Sequence, residues 1–197
     1  MNGNINGNLA YEMEPEEEII GGEVVMMAPA TLNHNRIVRN ISRIFDTYLQ
    51  GRTCEYFTDG AGLYLEEDAE EYKPDGMVVC DPDKTKGDSG VYGAPDLVLE
   101  VLSPGTARND RGHKRDVYER HGVREYWIVN PLDMSVEQYV LENGRFVLWD
   151  VYHKYTAAAL DAMKEKDRAK VVTEFKCSLF PDLTIRLDDI FGRVVIR

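Results

Sequence analysis

"LVLEVLSPGTARNDRGHKRD" (residues 97–116) begins as a buried strand and ends as a charged helix, and one carboxylate, Glu100, stands among the apolar residues of the strand. Leu97, Val98, Leu99, Val101 and Leu102 around it predict a strand covered on both faces. An unpaired charge in such a place costs several kcal/mol or shifts its pKa. Glu100 therefore has a cation opposite it, or the strand is not buried.

Outward from this stretch the pattern is α/β. GGEVVMMAPA (21–30) reads as a short strand. Ile37, Val38, Ile41, Ile44, Phe45 and Tyr48 recur at helical spacing from a cap at Thr31 or Asn33 to Gly51. Segments 54–68, 73–82 and 94–104 read as strands, followed by a helix from Ala107 to His121 that ends at Gly122. VREYWIVNP (123–131) is another apolar strand, with Tyr126 and Trp127 as core aromatics, and 135–141 and 145–152 form a hairpin turned by Asn143 and Gly144. Residues 157–170 have helix-forming composition but a poor apolar stripe, which suits a surface helix or a flexible excursion, and LTIRLDDIF (183–191) closes the chain. Strands broken by two crossing helices predict a mixed β-sheet flanked by helices. Residues 1–14 are expected to be loosely ordered and 15–197 to form one domain.

Composition narrows the class. No apolar run approaches the ~20 residues needed to cross a bilayer, and the N-terminus lacks the pattern of a secretory signal, so a cytoplasmic protein is expected. Cys54, Cys80 and Cys177 are far apart and odd in number, which predicts reduced thiols acting as small core hydrophobes. The 23 basic and 35 acidic residues give a net charge of −12, which argues against a general nucleic-acid coat and requires any phosphate-binding surface to be local. Arg36, Arg39 and Arg43 on the first helix and Arg108, Arg111 and Arg115 near the second are the candidates.

Two carboxylates would converge if the strands carrying Asp75 (KPDGMVV) and Glu100 are neighbours. Such a pair suits Mg²⁺ or Mn²⁺, which take a few carboxylates together with water and substrate phosphate. In the second helix, positions 114, 117, 118 and 121 share a face, and Val117 and Tyr118 mark it as the packed one. Lys114 therefore points inward, either as a catalytic amine or as a salt-bridge partner of Glu100. Its replacement by methionine, which keeps most of the stem, is expected to leave the fold intact.

KPD ending at 75, APDLVLEV (94–101), LSP (102–104), then Asp110, Lys114 and Tyr118, then GVREYWIVNP (122–131), resemble the Uma-type putative restriction endonuclease family, a branch of the PD-(D/E)XK nuclease superfamily. Residues 19–38 and 180–191 look like that family's opening and closing segments. The resemblance implies a restriction-endonuclease-like core with Asp75 and Glu100 on adjacent strands holding Mg²⁺ or Mn²⁺. The superfamily's usual lysine lies two residues after the acid, but position 102 is Leu; the resemblance implies that Lys114 supplies the amine from the helix. Asp96 is a further candidate ligand, and His34 and Tyr118 are candidate contacts near the mouth of the site.

The function implied is metal-dependent hydrolysis of DNA phosphodiesters by a homodimer whose two basic patches reach both strands. The alternative is an inactive nuclease-fold module that binds nucleic acid or a protein partner, an option that the net charge and Leu102 support.

Overall fold

The computed structural model describes residues 17–27, 30–58, 60–66, 69–87 and 89–195. The expectation for residues 1–14 lies outside them.

The first helix, α1 (Leu32–Leu49), begins where expected: the Thr31 hydroxyl accepts from the His34 backbone N–H at 3.2 Å. Its buried stripe is Ile37, Val38, Ile41, Phe45 and Leu49, and Gly51 follows its end at φ 76°. Before it lies a hairpin rather than one strand. β1 (Glu17–Ile20) and β2 (Glu23–Met26) are antiparallel, and Gly21 and Gly22, at φ 61° and 79°, make the turn that an L side chain would resist. After α1 the expected strand at 54–68 is two, β3 (Glu55–Thr58) and β4 (Leu63–Glu66), interrupted near Gly60. β5 (Glu70–Tyr72) was not expected from the sequence.

β6 (Gly76–Val79), β7 (Val91–Tyr92), β8 (Leu97–Val101) and β9 (Glu125–Asn130) follow, then the hairpin β10 (Ser135–Glu142) and β11 (Arg145–His153). Asn143 and Gly144 form its turn at φ 52° and 76°. Residues 157–170 hold two short exposed helices, α4 (Ala157–Ala162) and α5 (Glu165–Arg168). The chain closes with β12 (Glu174–Lys176), β13 (Thr184–Arg186) and α6 (Leu187–Ile190). The helix after β8 starts as α2 (Ala107–Asn109), widens into a π turn at Asp110–Lys114, and continues as α3 (Arg115–His121), capped by Gly122 at φ 84°.

Among the described residues, one sheet has the order β11-β10-β9-β8-β6-β3, with β8 and β9 parallel and the other pairs antiparallel. A second has the order β2-β1-β5-β4-β7. Strand alternation divides the core in two. Val78, Leu97, Leu99, Val101, Trp127 and Val129 pack against α1 and the C-terminal segment. Met77, Val79, Val98, Leu102, Tyr126 and Ile128 pack with Leu63 and Tyr72 of the second sheet and Val117 and Tyr118 of α3. The α/β class and the mixed, helix-flanked sheet are as the sequence predicts.

The cysteines are a correction. Glu55 pairs with Val79, so Cys54 falls opposite Cys80, and the two are joined by a disulfide with Cα atoms 3.9 Å apart. A register between strands separated by 26 residues cannot be read from cysteine spacing. Cys177 is a free, buried thiol, as expected.

Gly76, which opens β6, is required by close approach. A Cβ there would lie 2.0 Å from Tyr56 Oη and 3.0 Å from Leu99 Cδ2, and the Tyr56 ring is stacked on Phe45 at 5.2 Å. Gly76→Ala is expected to lower stability by about 1–3 kcal/mol through overpacking. Urea unfolding measures it, and a loss below ~0.5 kcal/mol would show that Tyr56 moves aside freely.

Candidate active site

The β6–β8 register pairs Gly76 with Leu99, so one step further sets Asp75 opposite Glu100. Cross-strand partners share a face with Cβ atoms about 4.5–5.5 Å apart. Alternation turns Glu100 away from α1 and toward α3 and the second sheet. Both residues are buried, Asp75 at 7% exposure and Glu100 at 4%. Asp75 Oδ2 accepts from the Val101 backbone N–H at 2.6 Å, and Oδ1 lies 3.0 Å from His34 Nε2. The Thr31 cap that starts α1 thus also sets the backbone from which His34 reaches the site. Glu100 Oε1 accepts from Lys114 Nζ at 3.2 Å and Tyr118 Oη at 2.9 Å. No hydrogen bond from the described residues reaches Oε2.

Lys114 sits at the end of the π turn, 3% exposed. The turn brings Asp110 and Lys114 inward together, and the Tyr126 hydroxyl donates to the Asp110 carbonyl at 3.0 Å within it. Besides Glu100, Lys114 Nζ donates to Glu18 Oε1 at 2.8 Å and lies 3.9 Å from Asp110 Oδ1. Glu18, on β1, is 5% exposed.

The structure therefore brings together Asp75, Glu100, Lys114, Tyr118 and His34. Glu18 was missed. Glu17 and Glu18 are indistinguishable within an acidic run, and only strand alternation leaves the first exposed and buries the second. Asp96 does not join the cluster. It enters β8 four residues before Glu100, about 13 Å along the strand at ~3.3 Å per residue, and its carboxylate accepts from Cys80 N–H at 2.8 Å and pairs with Arg124 at 3.1 Å.

Negative charge exceeds positive in this buried space. Glu18, Glu100 and Asp110 surround one ammonium, and Asp75, opposite Glu100, contacts His34. Burial raises the Glu100 carboxyl well above its usual range; Asp110, Asp75 and Glu18 add to the effect and Lys114 opposes it. Burial likewise raises Asp110 to about 6 against the pull of Lys114. Burial alone would lower the Lys114 ammonium, but Glu100, Glu18 and Asp110 outweigh it and hold the amine charged.

Among the described residues no group of three or more His, Cys, Asp or Glu side chains is arranged to hold a metal ion. Asp75 and Glu100 offer a two-carboxylate set. That set, the undonated Glu100 Oε2 and the excess negative charge fit a hard divalent cation that completes its shell with water and phosphate.

Asp110 gives a pH prediction. With its folded pKa near 6, above the ordinary carboxylate value, the folded state holds more protons than the unfolded state, so this group's contribution falls as pH rises through about 4 to 6. Asp110→Asn removes that loss. It should stabilise the protein at pH 8, by up to about 3 kcal/mol at ~1.4 kcal/mol per pKa unit, and change little at pH 4. Equal melting shifts at both pH values would refute the assignment.

Residues 9–164 match the Uma2 family, described as "Putative restriction endonuclease". Two uncharacterized proteins of Synechocystis sp. (strain ATCC 27184 / PCC 6803 / Kazusa) are similar: sll1609 is 31% identical over 126 residues, covering 63% of this chain and 71% of that protein. The other, slr1290, is 30% identical over 139 residues, covering 71% and 66%. The fold is similar to the crystal structure of "a putative nuclease belonging to DUF820" from Anabaena variabilis ATCC 29413, at 16% identity, with a TM-score of 0.68 and 92% of each chain covered. The chain belongs to the Uma2 family of putative restriction endonucleases.

Proposed function

We propose that the protein is a divalent-metal-dependent endonuclease that hydrolyses DNA phosphodiesters, with Asp75 and Glu100 as the Mg²⁺ or Mn²⁺ ligands and Lys114 as the catalytic amine. The observation that carries this reading is the buried excess of carboxylates around Lys114, with Asp75 and Glu100 facing each other across adjacent strands. A fold has no structural need for such an arrangement, which is unfavourable without a further cation.

When bound, the metal supplies Lewis acidity, lowering the pKa of a water and neutralising phosphate charge. The protein's own groups supply orientation. The Val101 N–H and His34 fix the Asp75 carboxylate from two sides, and Tyr118 donates to Glu100 Oε1, leaving Oε2 without a donor among the described residues. The Lys114 ammonium stabilises the negative charge that develops on the phosphate oxygens as water adds and the ester P–O bond breaks.

Approach of DNA to an acidic protein needs local cations. Arg36, Arg39 and Arg43 lie at i, i+3 and i+7 on α1, the helix whose first turn contributes His34. Arg39, Arg43 and Arg108 are exposed, whereas Arg111 is tied to Glu137 at 2.5 Å and Arg115 to Asp116 at 3.2 Å. The phosphate track is thus assigned to α1 and Arg108. Cleavage of both strands calls for two clefts, and so for a homodimer.

Lys114→Met is not the mild substitution that the sequence suggests. The ammonium serves three buried carboxylates, so its removal is expected to cost about 3–5 kcal/mol. Asp75→Asn is the cleaner test, since an amide oxygen still accepts from Val101 N–H. Calorimetric Mn²⁺ binding should disappear and plasmid nicking should fall at least ~10²-fold, the scale of lost charge stabilisation. A native protein that neither binds Mn²⁺ nor nicks DNA would favour the inactive module. Replacing Arg39 and Arg43 together by Ala should weaken DNA binding and flatten the plot of log K against log salt by about 1.8, at ~0.9 per phosphate contact. An unchanged slope would move the track elsewhere.

A further inference from the structure

Lys114 stands on a helix, so the strand that positions Glu100 does not position its amine; something outside the helix must. Three carboxylates are within reach. Glu100 Oε1, at 3.2 Å, is shared with Tyr118, and Asp110 Oδ1, at 3.9 Å, lies beyond hydrogen-bond distance. Glu18 Oε1, at 2.8 Å, is the shortest contact.

The same Glu18 oxygen accepts from the Lys73 backbone N–H at 3.0 Å, two residues before Asp75. One buried oxygen therefore joins the approach to Asp75 to the helix amine. Glu18 is itself held firmly. β1 lies between β2 and β5, Ile19 pairs with Glu71, and the turn after β1 is fastened by Gly22 N–H to the Ala69 carbonyl at 3.0 Å. The Tyr72 ring, 5.5 Å from Lys114 Nζ, closes the amine from the same sheet.

We propose that Glu18 is the positioning residue of the site: it keeps the Lys114 ammonium in the cleft when Glu100 turns toward a cation, and it makes the second sheet part of the catalytic unit. This rests on the nuclease reading, in which Glu100 is a ligand. A carboxylate that engages a divalent ion gives up part of its hold on the ammonium, and Asp110 is too distant to replace it. Glu18, facing the amine from another sheet, is the acceptor that remains.

The test uses the full-length protein with ¹⁵N-labelled lysine. Lys114, buried and hydrogen-bonded, should give a slowly exchanging ammonium resonance, assigned by its absence in Lys114→Arg. Glu18→Gln keeps an oxygen for Lys73 N–H and removes one charge from a crowded acidic cluster, so folding is expected and a thermal melt checks it. Glu18→Gln should speed ammonium exchange by about tenfold or more, as for a group leaving a protected site. It should lower kcat for DNA nicking by about 10–100-fold with KM little changed, the effect of losing a supporting group behind a reacting one. Glu18→Asp, which retains the charge, should recover part of both.

A Glu18→Gln protein with native ammonium exchange overturns the positioning role, whatever its rate. Faster exchange with an unchanged rate also overturns it. If the native protein nicks no DNA, the nuclease reading fails, while ammonium exchange with Mg²⁺ added still decides whether Glu18 holds the amine: exchange that stays slow in the native protein and quickens in Glu18→Gln supports the hold, and equal exchange in both removes it.

Discussion

The Lys114 ammonium is the contact on which the centre of this molecule depends. Glu18 from the second sheet, Glu100 from the first and Asp110 from the π turn all face it, so one charge joins three separate pieces of chain. Removing a cation from such a place leaves buried carboxylates unpaired, whereas replacing the whole group by apolar residues is often neutral or stabilising. The cluster is therefore poorly explained as a stabilising device. Its retention makes chemical sense where the charges must meet a ligand.

A second buried glutamate makes the contrast plain. Glu125, at the start of β9, is fully buried, yet no cation among the described residues pairs with it. Its Oε1 accepts from Trp127 Nε1 at 2.7 Å and Gln138 Nε2 at 2.6 Å, and its Oε2 from the Ser178 hydroxyl and the backbone N–H groups of Ser178 and Leu179. Neutral donors satisfy both oxygens and tie the chain after β12 to the sheet. Glu100 has donors on one oxygen only and acidic neighbours around it. Burial alone therefore does not distinguish the two glutamates; the distribution of donors over their oxygens does.

Much of this was legible in the residues. The α1 stripe, the Thr31 cap, the Gly122 terminus and the Asn143-Gly144 turn are local features, each fixed by a few neighbouring side chains, and each stands where the sequence puts it. Asp75 and Glu100 could be placed together because both sit in apolar strands whose pairing is an economical guess. Glu18, β5 and the Cys54–Cys80 disulfide were not legible, for one common reason. Each depends on the register of strands distant in sequence, and no local pattern records which residue lies opposite which. Charged residues in β1 and β5 hid the second sheet further, since Glu17, Glu18, Glu70 and Glu71 give no apolar strand pattern.

The π turn connects the departure at position 102 with the architecture around it. An amine two residues beyond Glu100 on the same strand would share its face and need little further support. With Leu102 packed in the apolar layer beside Val117 and Tyr118, the amine of the proposed nuclease site arrives instead on a longer lever, from a helix whose phase is altered where Asp110 and Lys114 turn inward. Such a lever has more freedom to lose and requires an acceptor on its far side. The β1–β2 hairpin provides it, which explains why a short, charged strand is built into the second sheet directly over the site.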